Sequence, residues 1–133
     1  MALKVPNVGE EVMLDLILGE GYTLKLFKSN TTPGDTDTAA TYTEADFTGY
    51  SSKALTGGSW STTPANPSTG SYSQQSFTST ADQTPQIIYG YYVIRTTGGT
   101  LMWAERFSSP ITVQYNNDSI RITPQITLAD TTD

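Results

Sequence analysis

The stretch from Tyr89 to Phe107, YGYYVIRTTGGTLMWAERF, limits the fold more than any other part of the chain. Two segments rich in β-branched and aromatic residues flank a Thr-Thr-Gly-Gly cluster, which predicts a hairpin. A tight turn at Gly98-Gly99, or one step earlier at Thr97-Gly98, pairs odd positions with even ones. With the first choice Val93 faces Ala104 and Tyr91 faces Arg106 on one side, while Ile94 faces Trp103 and Tyr92 faces Glu105 on the other. Both sides are then apolar or aromatic, and a strand of that kind needs cover on both faces. In a two-sheet arrangement one face meets the opposite sheet. The other must be closed by a loop, a helix or another subunit, and Tyr, Trp, Met and Arg are enriched in subunit contacts. On this basis Tyr92, Trp103 and Arg106 are candidate interface residues.

The rest of the chain favours strands. It holds 23 Thr and 13 Ser among 133 residues. Thr is β-branched, and Ser competes locally with helix hydrogen bonds. Strand-like pieces fall at 22–27 and about 47–55, 59–63, 71–78, 86–95, 100–107, 110–115 and 119–128, separated by Gly, Pro, Asn and Ser clusters. The expected fold is a single all-β domain over 1–133, an antiparallel, jelly-roll-like β-sandwich of about eight strands. Between the first strand and Phe47 lies a segment of turn residues without clear periodicity, a long loop over about 29–46. It is an obvious intrachain cover for the aromatic hairpin.

One helix is expected before the first strand, at about 8–18. Asn7 and Glu10 have capping-box spacing. Val8, Val12 and Leu16 follow at i, i+4 and i+8 with Met13 and Ile17 beside them, and Gly19 is placed to end the helix in a left-handed conformation. This apolar stripe either plugs the end of a sheet or docks into a neighbouring subunit, so Val12 and Leu16 are also candidate interface residues. Near the other end Ile111, Val113 and Tyr115 sit at odd positions, and Ile120, Ile122, Ile126 and Leu128 at even ones. A two-residue turn within Asn116-Asn117-Asp118 would bring both rows onto one face of a hairpin, with Arg121 outside. Pro124 cannot donate to a ladder, so the last strand is expected to be an edge or to carry a bulge there.

Chemistry is sparse. Thirteen acidic and seven basic residues give a net charge of −6, with the cations scattered, which is no footprint for a nucleic acid. The start MALKVPNVGEEVMLDLILG lacks the basic n-region of a signal peptide, and its carboxylates interrupt the apolar run a membrane span needs. With neither His nor Cys, the common nucleophile-base pairs and most transition-metal sites are missing. Asp35 and Asp37 alternate in PGDTDT but lack the further ligands of a calcium loop, and Glu44, Asp46 and Glu105 are the carboxylates a hydrolase would need. The expectation is no catalytic residue, no cofactor and no metal. Trp60 stands beside loops and, with Trp103, is a candidate stacking platform for a glycan or another contact position.

The runs TLKLFKSNTTPGDTDTAATYTEADFTGYSSKALTGGSW, YGYYVI, LMWAERF and ITPQITLA, together with the VPNVGE start, resemble small virion proteins of tailed bacteriophages. In size and character the chain is most similar to capsid decoration, or cement, proteins. That resemblance implies a compact β-rich subunit, often a homotrimer, on the capsid outer surface, clamping neighbouring major capsid subunits without covalent bonds. It supplies no motif of functional residues. The segments about 29–46 and 61–70, the helix and the tail ADTTD are the expected contacts. The alternatives are a tail- or head-fibre adhesin for host glycans, acting through Trp60, Trp103 or Tyr92, and a small tail or baseplate subunit.

Overall fold

A computed structural model describes residues 3–129. The fold is all-β with antiparallel sheets and one short N-terminal helix. The elements are α1 (Asn7–Leu18), β1 (Tyr22–Phe27), β2 (Lys53–Leu55), β3 (Ser61–Thr63), β4 (Ser68–Ser71), β5 (Gln75–Thr78), β6 (Gln86–Arg95), β7 (Leu101–Val113), β8 (Ser119–Ile122) and β9 (Gln125–Leu128). Contacts gather into two compact units. One is made of the segments up to Gly21, Leu55–Gln74 and from Thr123 onward; the other of Tyr22–Ala54 and Gln75–Ile122.

In the first unit α1 lies on the sheet β3-β4-β9. The helix begins one residue earlier than its sequence pattern predicts and without a capping box. The carbonyl of Pro6 accepts the Glu10 amide at 2.9 Å, and the Glu10 side chain turns inward, where it accepts from the Ser68 hydroxyl at 3.2 Å. Gly19 is right-handed at φ −68°. Its carbonyl lies under the Gly57 backbone, where an added Cβ would stand 2.0 Å from the Gly19 oxygen.

The buried face of α1 is Glu10, Leu14 and Leu18, not the expected stripe of Val8, Val12 and Leu16, all of which are exposed. Gly70 on β4 explains the choice. A Cβ there would lie 2.4 Å from Leu18 Cδ1 and 3.4 Å from Leu14 Cδ2, so the bare backbone makes the seat for these two leucines. Leu14→Ala is accordingly expected to cost about 2–5 kcal/mol in urea denaturation. An unchanged midpoint would show that the helix seats on its other face.

The second unit contains the sheet β2-β1-β6-β7 and the pair β5-β8, a sandwich-like arrangement. Tyr50 stacks on Phe77 of β5 at 5.7 Å, and the Lys53 ammonium lies 5.5 Å from the same ring. At the other side an open cavity of about 530 Å³ is flanked by Ile111 of β7 and Ile120 of β8. β1 matches the strand expected at 22–27, with Tyr22, Leu24 and Leu26 buried on one face.

Several local expectations fail for identifiable reasons. The piece at 71–78 divides into β4 and β5, while 100–107 and 110–115 join as β7. Four residues, 107–110, stand opposite Tyr89 alone, a wide irregularity that includes Pro110. The turn at Tyr115–Asp118 forms, with the Asp118 amide on the Tyr115 carbonyl at 3.0 Å, but β8 pairs with β5 rather than with β7. The chain thus changes sheets where a hairpin was expected. Ile120 and Ile122 are buried and Arg121 exposed, as the alternation requires, while Ile111 is exposed. Pro124 interrupts the final strand, so that β8 and β9 belong to different sheets and β9 is an edge.

The aromatic hairpin closes through four residues, 96–99, with the Arg95 amide on the Thr100 carbonyl at 2.8 Å. Gly98 and Gly99 both take positive φ there, 86° and 72°. Ile94 pairs with Leu101, but Val93 pairs with Trp103, leaving Met102 as a bulge. This one extra residue reverses the expected facing: Tyr91 pairs with Glu105, Tyr92 with Ala104 and Gly90 with Arg106. Both faces of β6 are nevertheless covered, since Tyr91, Tyr92 and Val93 are all buried.

Candidate contact surfaces

Closure of the hairpin begins with Gly90, which leaves room for Phe27 on β1. A Cβ at Gly90 would lie 2.2 Å from the Glu105 carbonyl and 2.7 Å from the Phe27 ring. Gly90→Ala should therefore destabilise by about 1–3 kcal/mol or more; an unchanged melting temperature would contradict this close approach.

The segment 29–46 returns alongside β1. Lys28 donates its amide to the Thr43 carbonyl at 2.8 Å, and Ala45 donates to Leu26 at 2.9 Å. This delivers Tyr42 onto the face that carries Phe27 and Tyr92. Its ring stacks on Tyr92 with centroids 5.1 Å apart and planes 17° from parallel, and lies 4.8 Å from Phe27. The Tyr42 hydroxyl donates to Asp37 at 2.7 Å. Arg106 anchors the start of the segment, donating to the Thr31 carbonyl at 2.9 Å and to Asn30 Oδ1 at 2.7 Å, with its guanidinium 5.1 Å from the Tyr89 ring centre.

The six sequence-derived interface residues consequently divide. Tyr92 is enclosed by Tyr42, so its ring has no face to offer a neighbour. Arg106 is occupied with the loop. Trp103 is half-buried on the opposite strand face, 5.8 Å from Tyr22. Trp60 is half-buried and meets Tyr72 edge-on at 5.2 Å. Val12 and Leu16 are the exposed pair, at 58% and 73%. Met13 and Ile17, also on this outward row, stood in the sequence only as flanking positions. In the tail ADTTD, residues 130–133 lie outside the described residues.

Four of the five carboxylates singled out in the sequence, Asp37, Glu44, Asp46 and Glu105, are tied to phenols or lysines. Glu105 accepts from the Tyr91 hydroxyl at 2.6 Å rather than pairing with an arginine. Glu44 accepts from Tyr50 at 2.8 Å and lies 3.4 Å from the Lys25 ammonium. Burial first, and then the neighbouring carboxylate, push Tyr91 well above the ordinary phenol range; burial does the same to Tyr50, with a smaller contribution from Glu44. Asp46 is held below the usual carboxylate range by its hydrogen bonds from Lys28 and Gln86. Asp37 accepts from the Gly34 amide as well as from Tyr42, which makes PGDTDT a self-bonded turn. Among the described residues no group of three or more His, Cys, Asp or Glu is arranged to hold a metal, and no helix is long and apolar enough to cross a membrane.

An open groove of about 380 Å³ runs between this turn and β7, with Asp35, Asp37, Tyr42 and Met102 in its wall. The tyrosine face that would stack on a sugar is instead committed to Tyr92. Comparison with known proteins found no match to a family model, a curated sequence or a solved structure.

Proposed function

We propose that this chain is a structural protein of a phage virion, a capsid decoration protein. It sits on the outer surface of the head as a small homo-oligomer, a trimer, and holds neighbouring major capsid subunits together non-covalently. The observation that carries this reading is the exposed apolar row of α1, on a body in which Asp37, Glu44 and Glu105 are bonded to tyrosine hydroxyls. Such a surface suits adhesion between proteins, and several weak contacts on one particle add up through effective concentration. The Thr- and Ser-rich loops offer neutral hydrogen-bonding groups to partner backbones without needing charge.

The test is copy number. Quantitative mass spectrometry of purified virions is expected to find the chain in proportion to capsomers, in heads rather than tails. A few copies per particle, or recovery only with separated tails, would overturn the capsid assignment in favour of a tail or baseplate subunit. The glycan-binding alternative draws support from the partly exposed Trp60 edge against Tyr72. It requires saturable glycan binding by the isolated protein that Trp60→Ala removes.

A further inference from the structure

Five apolar side chains of α1 point away from the sheet: Val8 is 65% exposed, Val12 58%, Leu16 73%, Met13 49% and Ile17 41%. At about 100° per residue they sweep roughly half the circumference of the helix, with Gly9 near the middle of the arc. No charged residue falls inside it. Glu10 is buried, and Glu11 and Asp15 are turned to the Thr62 hydroxyl, at 3.2 and 2.8 Å. The exposed carbon amounts to several hundred Å², the size at which a patch on a monomer is commonly a contact site, against about 800 Å² per partner in a standard interface.

We infer that α1 is the self-association element of this protein, packing against α1 of two further copies around a threefold axis. This rests on the reading of the chain as an assembly protein and names the surface and partner it uses. Two features select copies of the same chain as the occupant. An uncharged row has no electrostatic means of choosing a charged partner, and on a chain of net charge −6 it is the surface where like molecules can meet without opposing carboxylates. The width of the arc sets the number of copies. A two-helix seam uses only a narrow stripe, so a pair would leave much of the arc in water, whereas each helix of a trio touches two neighbours. A ring of three closes and leaves no sticky end.

The experiment is sedimentation equilibrium on the full chain at micromolar concentrations, beside the double variant Val12→Glu/Leu16→Glu. The wild type is expected at three times 14.4 kDa and the variant at the mass of one chain, with an unchanged circular dichroism spectrum because Leu14 and Leu18 are untouched. The chain has no cysteine, so Leu16→Cys supplies an independent readout: under oxidation it should form a disulfide-linked pair that reductant releases. A wild-type mass of one or two chains, or a three-chain mass that survives the double variant, overturns the inference. Three-chain species that never appear on heads would sink the capsid reading alone. Single chains found on heads in capsomer numbers would sink this inference alone.

Discussion

Tyr42→Ala is expected to lower the free energy of unfolding by about 3–5 kcal/mol, because one side chain closes the aromatic cluster on a sheet face. Its ring covers Phe27 and Tyr92, with Tyr89, Ile94, Leu101 and Ala104 packed around that cluster. Removing it opens the cluster to water and leaves the segment 29–46 without its central anchor. Tyr42→Phe separates the two contributions. It keeps the stack and loses only the hydroxyl bond to Asp37, so about 1 kcal/mol is expected. Urea denaturation of both variants checks the ordering, and limited proteolysis checks the mechanism, since the alanine variant should be cut within 29–46 far faster than the wild type. A loss below 1 kcal/mol for alanine, or equal losses for both, would mean that the segment is held in place by Arg106 and its backbone pairing with β1 rather than by the ring.

The importance of Tyr42 was not visible in the sequence. It lies in a stretch of turn residues without period, where its aromatic character was the only clue. What was legible came from residues whose pattern has one physical reading. Tyr22, Leu24 and Leu26 alternate and are buried together, and the doubly apolar run of β6 became a strand inside its sheet. The helix was legible as an element but not in its orientation. NVGEEVMLDLIL carries an apolar row at 8, 12 and 16 and another at 14 and 18, and only the space above Gly70 decides between them. The hairpin register failed for a similar reason. Pairing rules assume a regular ladder, and the bulge at Met102 leaves no trace in the composition. That single residue moved Glu105 from Tyr92 to Tyr91, while it is the Tyr42 ring that encloses Tyr92.

The same tyrosines set a limit at high pH. In the unfolded chain all eight ionise near their ordinary value of about 10. In the fold, burial is the first cause holding Tyr42, Tyr50, Tyr91 and Tyr92 in the neutral form, and Tyr92 is pushed up to about 12. Carboxylates add to this: Asp37 and Glu105 accept the phenol protons of Tyr42 and Tyr91, and Glu44 opposes charge on both Tyr50 and Tyr92. A group whose pKa is higher folded than unfolded binds more protons in the native state through that interval. The stabilisation is complete below pH 10 and is lost as the pH climbs from there toward 12 and beyond. Each of the four tyrosines contributes up to about one proton released on unfolding, so the loss should steepen into a cooperative alkaline transition. Tyrosinate absorbance at 295 nm, followed together with far-ultraviolet circular dichroism, should show an absorbance step above pH 10 that coincides with the disappearance of the β signal. Glu105→Gln removes the charge beside Tyr91 and should move part of that step to lower pH. A single smooth titration of all eight tyrosines near pH 10, with the sheet signal preserved, would show that these rings are open to water and that the aromatic cluster does not close the sheet.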